Sequence, residues 1–159
     1  SMETAERMVA AMDNHYNRNW RAKTRPYPGI PGMLAAFAER GVRLAVLSNK
    51  PHRFARAVVE HFFPAMNFAA VYGARADVPR KPSPAGALAI AEELGVPAER
   101  FLYFGDTNTD MQTGRAAGMY TVGVSWGFRP VEELTGAGAQ AIIDSPSQAL
   151  SFLDGGERG

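Results

Sequence analysis

The sequence predicts an α/β fold with a mainly parallel sheet covered by helices on both faces. Two observations predict it. From residue 30 onward, short apolar runs alternate with segments of helical periodicity, the pattern of successive strand–helix units. Gly and Pro fall at the junctions between them, where a chain must stop one element before starting the next. At 159 residues the chain is expected to form one domain with a sizeable core.

The elements follow in order. Met8, Val9, Met12 and Tyr16 recur at helical spacing, predicting an amphipathic helix over residues 3–19. Pro26, Pro28 and Gly29 then mark the one internal boundary. A helix over Pro31 to Arg40 stops at Gly41, a natural residue just past a helix end. Val42 to Leu47 reads as a strand, His52 to Phe62 as a helix and Ala69 to Tyr72 as a short strand. Pro84 to Leu94 reads as a helix with Ser83 as N-cap and Gly95 beyond its end. The strand Phe101 to Phe104, the helix Thr109 to Ala117 and the strand Tyr120 to Val124 come next. A short helix at Pro130 to Leu134, a strand at Ala141 to Ile143 and a helix at Ser147 to Leu153 close the series. Residues 155–159 are Gly-rich and charged, and read as a frayed tail.

Composition excludes several classes of function. The net charge is +1 and no long basic block occurs, which argues against nucleic acid as a partner. No apolar stretch approaches the length of a membrane span. There is no cysteine, so disulfides and thiol catalysis are out, and a cytoplasmic setting fits. No signal peptide is visible, and Ser1-Met2 has the form of a cleavage scar before a start methionine.

Three short segments carry chemistry. Gly105-Asp106-Thr107-Asn108-Thr109-Asp110 follows the apolar run Phe101 to Phe104. Asp106 thus falls at a strand's carboxyl end, where open α/β sheets place ligands, and Asp110 falls in the first turn of the next helix. Two hard oxygen donors there suit Mg²⁺, which takes one or two carboxylates beside waters and phosphate; an N-cap Asp and an Asp favouring the helix dipole would read the same way. Ser48-Asn49 ends another strand and faces a helix start, an arrangement that suits an anion or a simple cap. Lys81 precedes a further helix start, where its charge opposes the helix dipole unless a phosphate offsets it; a solvated loop lysine is the plainer reading. A hydroxyl, an ammonium and a carboxylate pair converging at one sheet edge would match phosphoryl transfer, which depends on positioning and charge stabilisation.

These segments, with Pro26-Tyr27-Pro28-Gly29, Ala116-Ala117-Gly118-Met119 and Val122 to Phe128, resemble the haloacid dehalogenase-like phosphatases, most closely the phosphoglycolate phosphatase type. The resemblance covers nearly everything after residue 25. It implies a Rossmann-like three-layer α/β/α core over residues 26–154, with residues 1–25 as the remnant of a helical cap. It implies phosphate binding by Ser48, Asn49 and Lys81, catalytic assistance from Ser48 and Lys81, and Mg²⁺ held by Asp106 and Asp110. The substrate would be a small phosphorylated metabolite, with inorganic phosphate as the simplest ligand. Trp126 and Phe128, on the loop after the next strand, are expected to pack rather than to react.

The same resemblance calls for an N-terminal strand ending in Asp-x-Asp-Gly-Thr, with the nucleophile and the general acid and base. No Asp-x-Asp occurs in this sequence. Asp13 falls on the surface of the expected helix, Asp77 in a polar loop, and Asp144 at a strand end without a second Asp two residues on. The expected fold therefore lacks its usual first, central strand, leaving two inner edges with unpaired backbone groups. The edges could close on each other, another chain could fill the gap, or a segment upstream could. The orphan N-terminal helix could pair with a second copy of the chain as a homodimer. Two functions fit: a Mg²⁺-dependent phosphatase by descent, inactive as this chain alone, or a non-catalytic phosphate- and Mg²⁺-binding or assembly domain. A receiver-like phosphoacceptor at Asp106 fits less well, because the acidic pair expected after the first strand is absent.

Overall fold

The computed structural model describes the backbone of residues 8–11 and the whole of residues 27–153. The strands are β1 (Met8–Ala11), β2 (Ala45–Pro51), β3 (Ala70–Ala74), β4 (Leu102–Gly105), β5 (Tyr120–Val124) and β6 (Ala141–Ile143). The helices are α1 (Ile30–Glu39), α2 (His52–Phe62), α3 (Ala85–Leu94), α4 (Asn108–Ala116) and α5 (Val131–Gly136). They form a six-stranded sheet in the order β3-β2-β1-β4-β5-β6, and every ladder in it is parallel.

Alternation along β4 shows why helices cover both faces. Leu102 and Phe104 pack on one side with Met33, Leu34 and Phe37 of α1. Phe101 and Tyr103 pack on the other with Ala87, Ile90 and Ala91 of α3. Successive side chains of a strand point to opposite faces, so a strand apolar at every position must be covered twice. Phe37, Ile90, Phe101 and Tyr103 are fully buried, which places the core in two layers either side of the sheet.

The expected gap in the sheet is filled from within the chain. Met8–Ala11 is a strand, not part of a helix. It pairs with β2 through Ala10–Val46 and Ala11–Leu47, and with β4 through Met8–Leu102, Val9–Tyr103 and Ala10–Phe104. Four consecutive apolar residues satisfy strand and helix patterns equally. Two inner edges with unpaired amides tip the balance toward the strand. Residues 8–11 therefore belong to the core sheet rather than to a cap remnant, and the orphan-helix argument for a homodimer no longer applies to them. Met12, Asp13 and Tyr16 lie outside the described residues.

Elsewhere the differences are at element ends. β2 begins at Ala45 instead of Val42 and runs on through Ser48, Asn49 and Lys50, with a register shift against β3 between Leu47 and Pro51. Ser83 does not cap α3, whose N-cap position is Pro84; its Oγ accepts a hydrogen bond from the Ala85 N–H at 3.2 Å instead. The last helix is a 3₁₀ segment, Pro146–Phe152, opened by a capping box between Ser145 and Gln148.

Candidate active site

The carboxyl ends of β2 and β4 flank the carboxyl end of β1, because Leu47 pairs with Ala11 and Phe104 with Ala10. Ser48 follows Leu47 and Asp106 follows Gly105, so both stand at one edge of the sheet. Ser48 is buried, and its Oγ accepts a hydrogen bond from the Lys50 N–H at 3.1 Å. Ser48, Asn49 and Lys81 line one small cleft together with Gly73, Ala74, Val78, Arg80 and Ser83.

Lys81 is the centre of the arrangement. Its ammonium lies 2.7 Å from Asp110 Oδ1, and the two side chains are 1% and 0% exposed. Its backbone is gripped by Asn49: the Lys81 N–H donates to Asn49 Oδ1 at 2.9 Å, and Asn49 Nδ2 donates to the Lys81 carbonyl at 3.2 Å. The second Asp110 oxygen, Oδ2, accepts the Asp106 N–H at 3.1 Å. One buried carboxylate thus links the lysine to the residue at the end of β4. A buried pair of this kind recovers its desolvation cost only with such additional hydrogen bonds.

Local sequence explains how Asp110 reaches that position. The N-cap of α4 is Thr107, in an extended conformation, and its hydroxyl accepts the Asp110 N–H at 3.1 Å. The Thr-x-x-Asp spacing is a helix-start signature that the sequence displays. Gly105 is required next to it, since a Cβ there would stand 2.2 Å from the Asp110 Cβ. Gly127 has the same role on the other side: the loop after β5 crosses Asp106 so closely that a Cβ would meet the Asp106 Oδ2 at 2.6 Å.

Of the five residues expected at the site, Ser48, Asn49 and Lys81 share the cleft, Asp110 joins Lys81 by an ion pair, and Asp106 joins through its main chain. The oxygens of Asp110 are occupied by the Lys81 ammonium and the Asp106 N–H. Among the described residues no group of three or more His, Cys, Asp or Glu stands ready to hold a metal. Asp106, partly exposed at the strand end, fits Mg²⁺ as a single hard oxygen donor beside waters and phosphate. Trp126 packs as expected, stacked on Tyr27 with ring centroids 5.1 Å apart. Phe128 is 89% exposed, past Gly127 on the loop that has left the sheet. Asp144 accepts the Ser125 hydroxyl at 2.8 Å and donates its N–H to Gln148, a role in closing the turn after β6. No helix among the described residues is long and apolar enough to cross a membrane.

Comparison with known proteins gives the family. The model of the haloacid dehalogenase-like hydrolases matches residues 3–118. This chain belongs to that family. It is 39% identical over 148 residues to the phosphoglycolate phosphatase of Rhodospirillum rubrum, covering 91% of this chain and 61% of the relative. It is 32% identical over 142 residues to the N-acetylmuramic acid 6-phosphate phosphatase of Pseudomonas aeruginosa, covering 89% and 63%. A crystal structure of a candidate phosphoglycolate phosphatase from Lactobacillus delbrueckii subsp. bulgaricus superposes with a TM-score of 0.79 at 36% identity, over 85% of this chain and 56% of that one. The chain thus spans about three fifths of the length of these curated relatives.

Proposed function

We propose that this chain carries the phosphate- and Mg²⁺-holding part of a phosphomonoesterase site of phosphoglycolate phosphatase type, for a small phosphorylated metabolite in a cytoplasmic setting. The observation that supports it most is the buried Lys81 ammonium, tied through Asp110 to the end of β4, on a residue that lines one cleft with Ser48. An ammonium has three N–H donors; one goes to Asp110, and two remain for phosphate oxygens. Ser48 Oγ, already accepting the Lys50 N–H, keeps its own proton to donate to an oxygen of the same phosphate. Mg²⁺ at Asp106 would supply charge neutralisation at phosphate oxygens. Asp110 serves that reading best by fixing the position of the Lys81 side chain, with metal binding left to Asp106. Specificity beyond phosphate would come from side chains beside the cleft such as the exposed Arg80.

Attack on phosphorus needs a nucleophile and a general acid and base, and the sequence has no Asp-x-Asp to provide the pair. The chain by itself is therefore proposed to bind phosphate without turning over esters. The same absence favours a second reading, a binding or assembly domain descended from such a phosphatase. Calorimetric titration with inorganic phosphate, with and without Mg²⁺, tests what the two share. The expected result is saturable binding strengthened by Mg²⁺ and weakened about tenfold or more by Ser48→Ala, the loss of a hydrogen bond to a charged group. Heat changes that do not saturate, or that Ser48→Ala leaves as they were, would refute it. Release of p-nitrophenol from p-nitrophenyl phosphate by the chain with Mg²⁺, abolished by Asp106→Ala, would refute the claim that it does not turn over.

A further inference from the structure

Asn49 reads from sequence as a phosphate ligand, yet its carboxamide is committed elsewhere. Its Oδ1 accepts from the Lys81 N–H and its Nδ2 donates to the Lys81 carbonyl. Both bonds go to the main chain of one residue, 32 positions away in sequence. Lys81 lies between β3 and α3, outside any ladder, so its backbone N–H and carbonyl have no strand partner and need one. The side chain of Lys81 then runs from that clamped backbone to Asp110, where its ammonium is fixed at 2.7 Å. A free lysine side chain carries considerable rotamer entropy. With its base and its head both held, that entropy is lost on folding rather than on binding.

We propose that Asn49 is a positioning residue for Lys81: it does not bind the phosphate but sets the place from which the Lys81 ammonium reaches it. The inference rests on the phosphate site proposed above. It also explains the residue type. Asp at position 49 could accept the N–H but not donate to the carbonyl, and Ala could do neither.

A double-mutant cycle on the full chain, with inorganic phosphate as probe, separates acting through Lys81 from touching the ligand. The expected result has four parts. Asn49→Ala weakens phosphate binding about tenfold in the wild-type background and less than about twofold in a Lys81→Met background. Asn49→Asp falls between wild type and Asn49→Ala. Amide exchange at Lys81 speeds up in Asn49→Ala while amides of β4 and β5 keep their protection, which shows that the fold is intact. In the wild type, phosphate leaves the Asn49 side-chain amide signals in place. An equal loss in both backgrounds, or Asn49 amide signals that move with phosphate while Lys81 exchange is unaffected by Asn49→Ala, overturns the inference alone. A wild-type chain that binds no phosphate overturns the proposed function and this inference with it, whereas unchanged Lys81 exchange in Asn49→Ala leaves that function standing.

Discussion

Lys81 and Asp110 neutralise each other where almost no water reaches, at 1% and 0% side-chain exposure. Removing one partner leaves a buried charge uncompensated, which costs about 3–5 kcal/mol. Lys81→Met is expected to lower stability by that amount in urea denaturation, and Asp110→Leu to do the same. The double variant should lose much less than the sum, since two apolar side chains leave no charge behind; full additivity would contradict the pairing. His52 gives a second residue-scale expectation. Its Nδ1 accepts the Gly73 N–H at 3.1 Å, which only the deprotonated nitrogen can do. Burial first, then the guanidinium charges of Arg75 and Arg56, hold the imidazole below its usual range. The unfolded chain therefore binds more protons than the native one between the lowered value and about 6.5. His52 contributes stability in full above about pH 6.5 and loses it as the pH falls through its lowered native value. The melting temperature should drop on acidification through this range, and less steeply in His52→Ala; equal slopes would remove His52 from the account.

At the scale of elements, what could be read from the sequence depended on whether a segment's own residues decided its structure. α2, β5 and β6 have the bounds that periodicity and punctuation indicate. The place of Asp106 just past β4 was equally legible, because the apolar run stops at Gly105; Ser48 instead lies inside β2, and Lys81 four residues before α3. Met8–Ala11 was not legible. Its apolar run satisfies two periodicities, and the choice is made by β2 and β4, more than 30 and 90 residues distant in the register. Nor could spacing show that Asn49 would grip the Lys81 backbone or that Asp110 would turn to Lys81, since these pairings join residues 32 and 29 positions apart. Thr107 was within reach, as its spacing to Asp110 is that of a helix cap. The strand assignment carries its own expectation. Proline at position 10 would remove an amide from the middle of a sheet. Ala10→Pro should accordingly destabilise the chain by about 1–3 kcal/mol, the cost of a buried backbone group left without its partner, by urea denaturation, whereas a change within about 0.5 kcal/mol, the range of surface substitutions, would show that residue 10 is not in a central strand.

Across the whole molecule, the parallel sheet brings residues separated by up to 58 positions, Ser48 and Asp106, to one edge on the two strands that flank β1. The family, the sheet order and the Lys81–Asp110 link all bear on a single proposition: one phosphate can be held there by Ser48 and Lys81, with Mg²⁺ on Asp106. A crystal structure of the chain grown with MgCl₂ and sodium phosphate tests it most directly. The account predicts phosphate in the cleft, within hydrogen-bond reach of Ser48 Oγ and Lys81 Nζ, with Mg²⁺ on an Asp106 oxygen and Asp110 still paired to Lys81. Phosphate bound away from Ser48 and Lys81, or Mg²⁺ coordinated without Asp106, would contradict it.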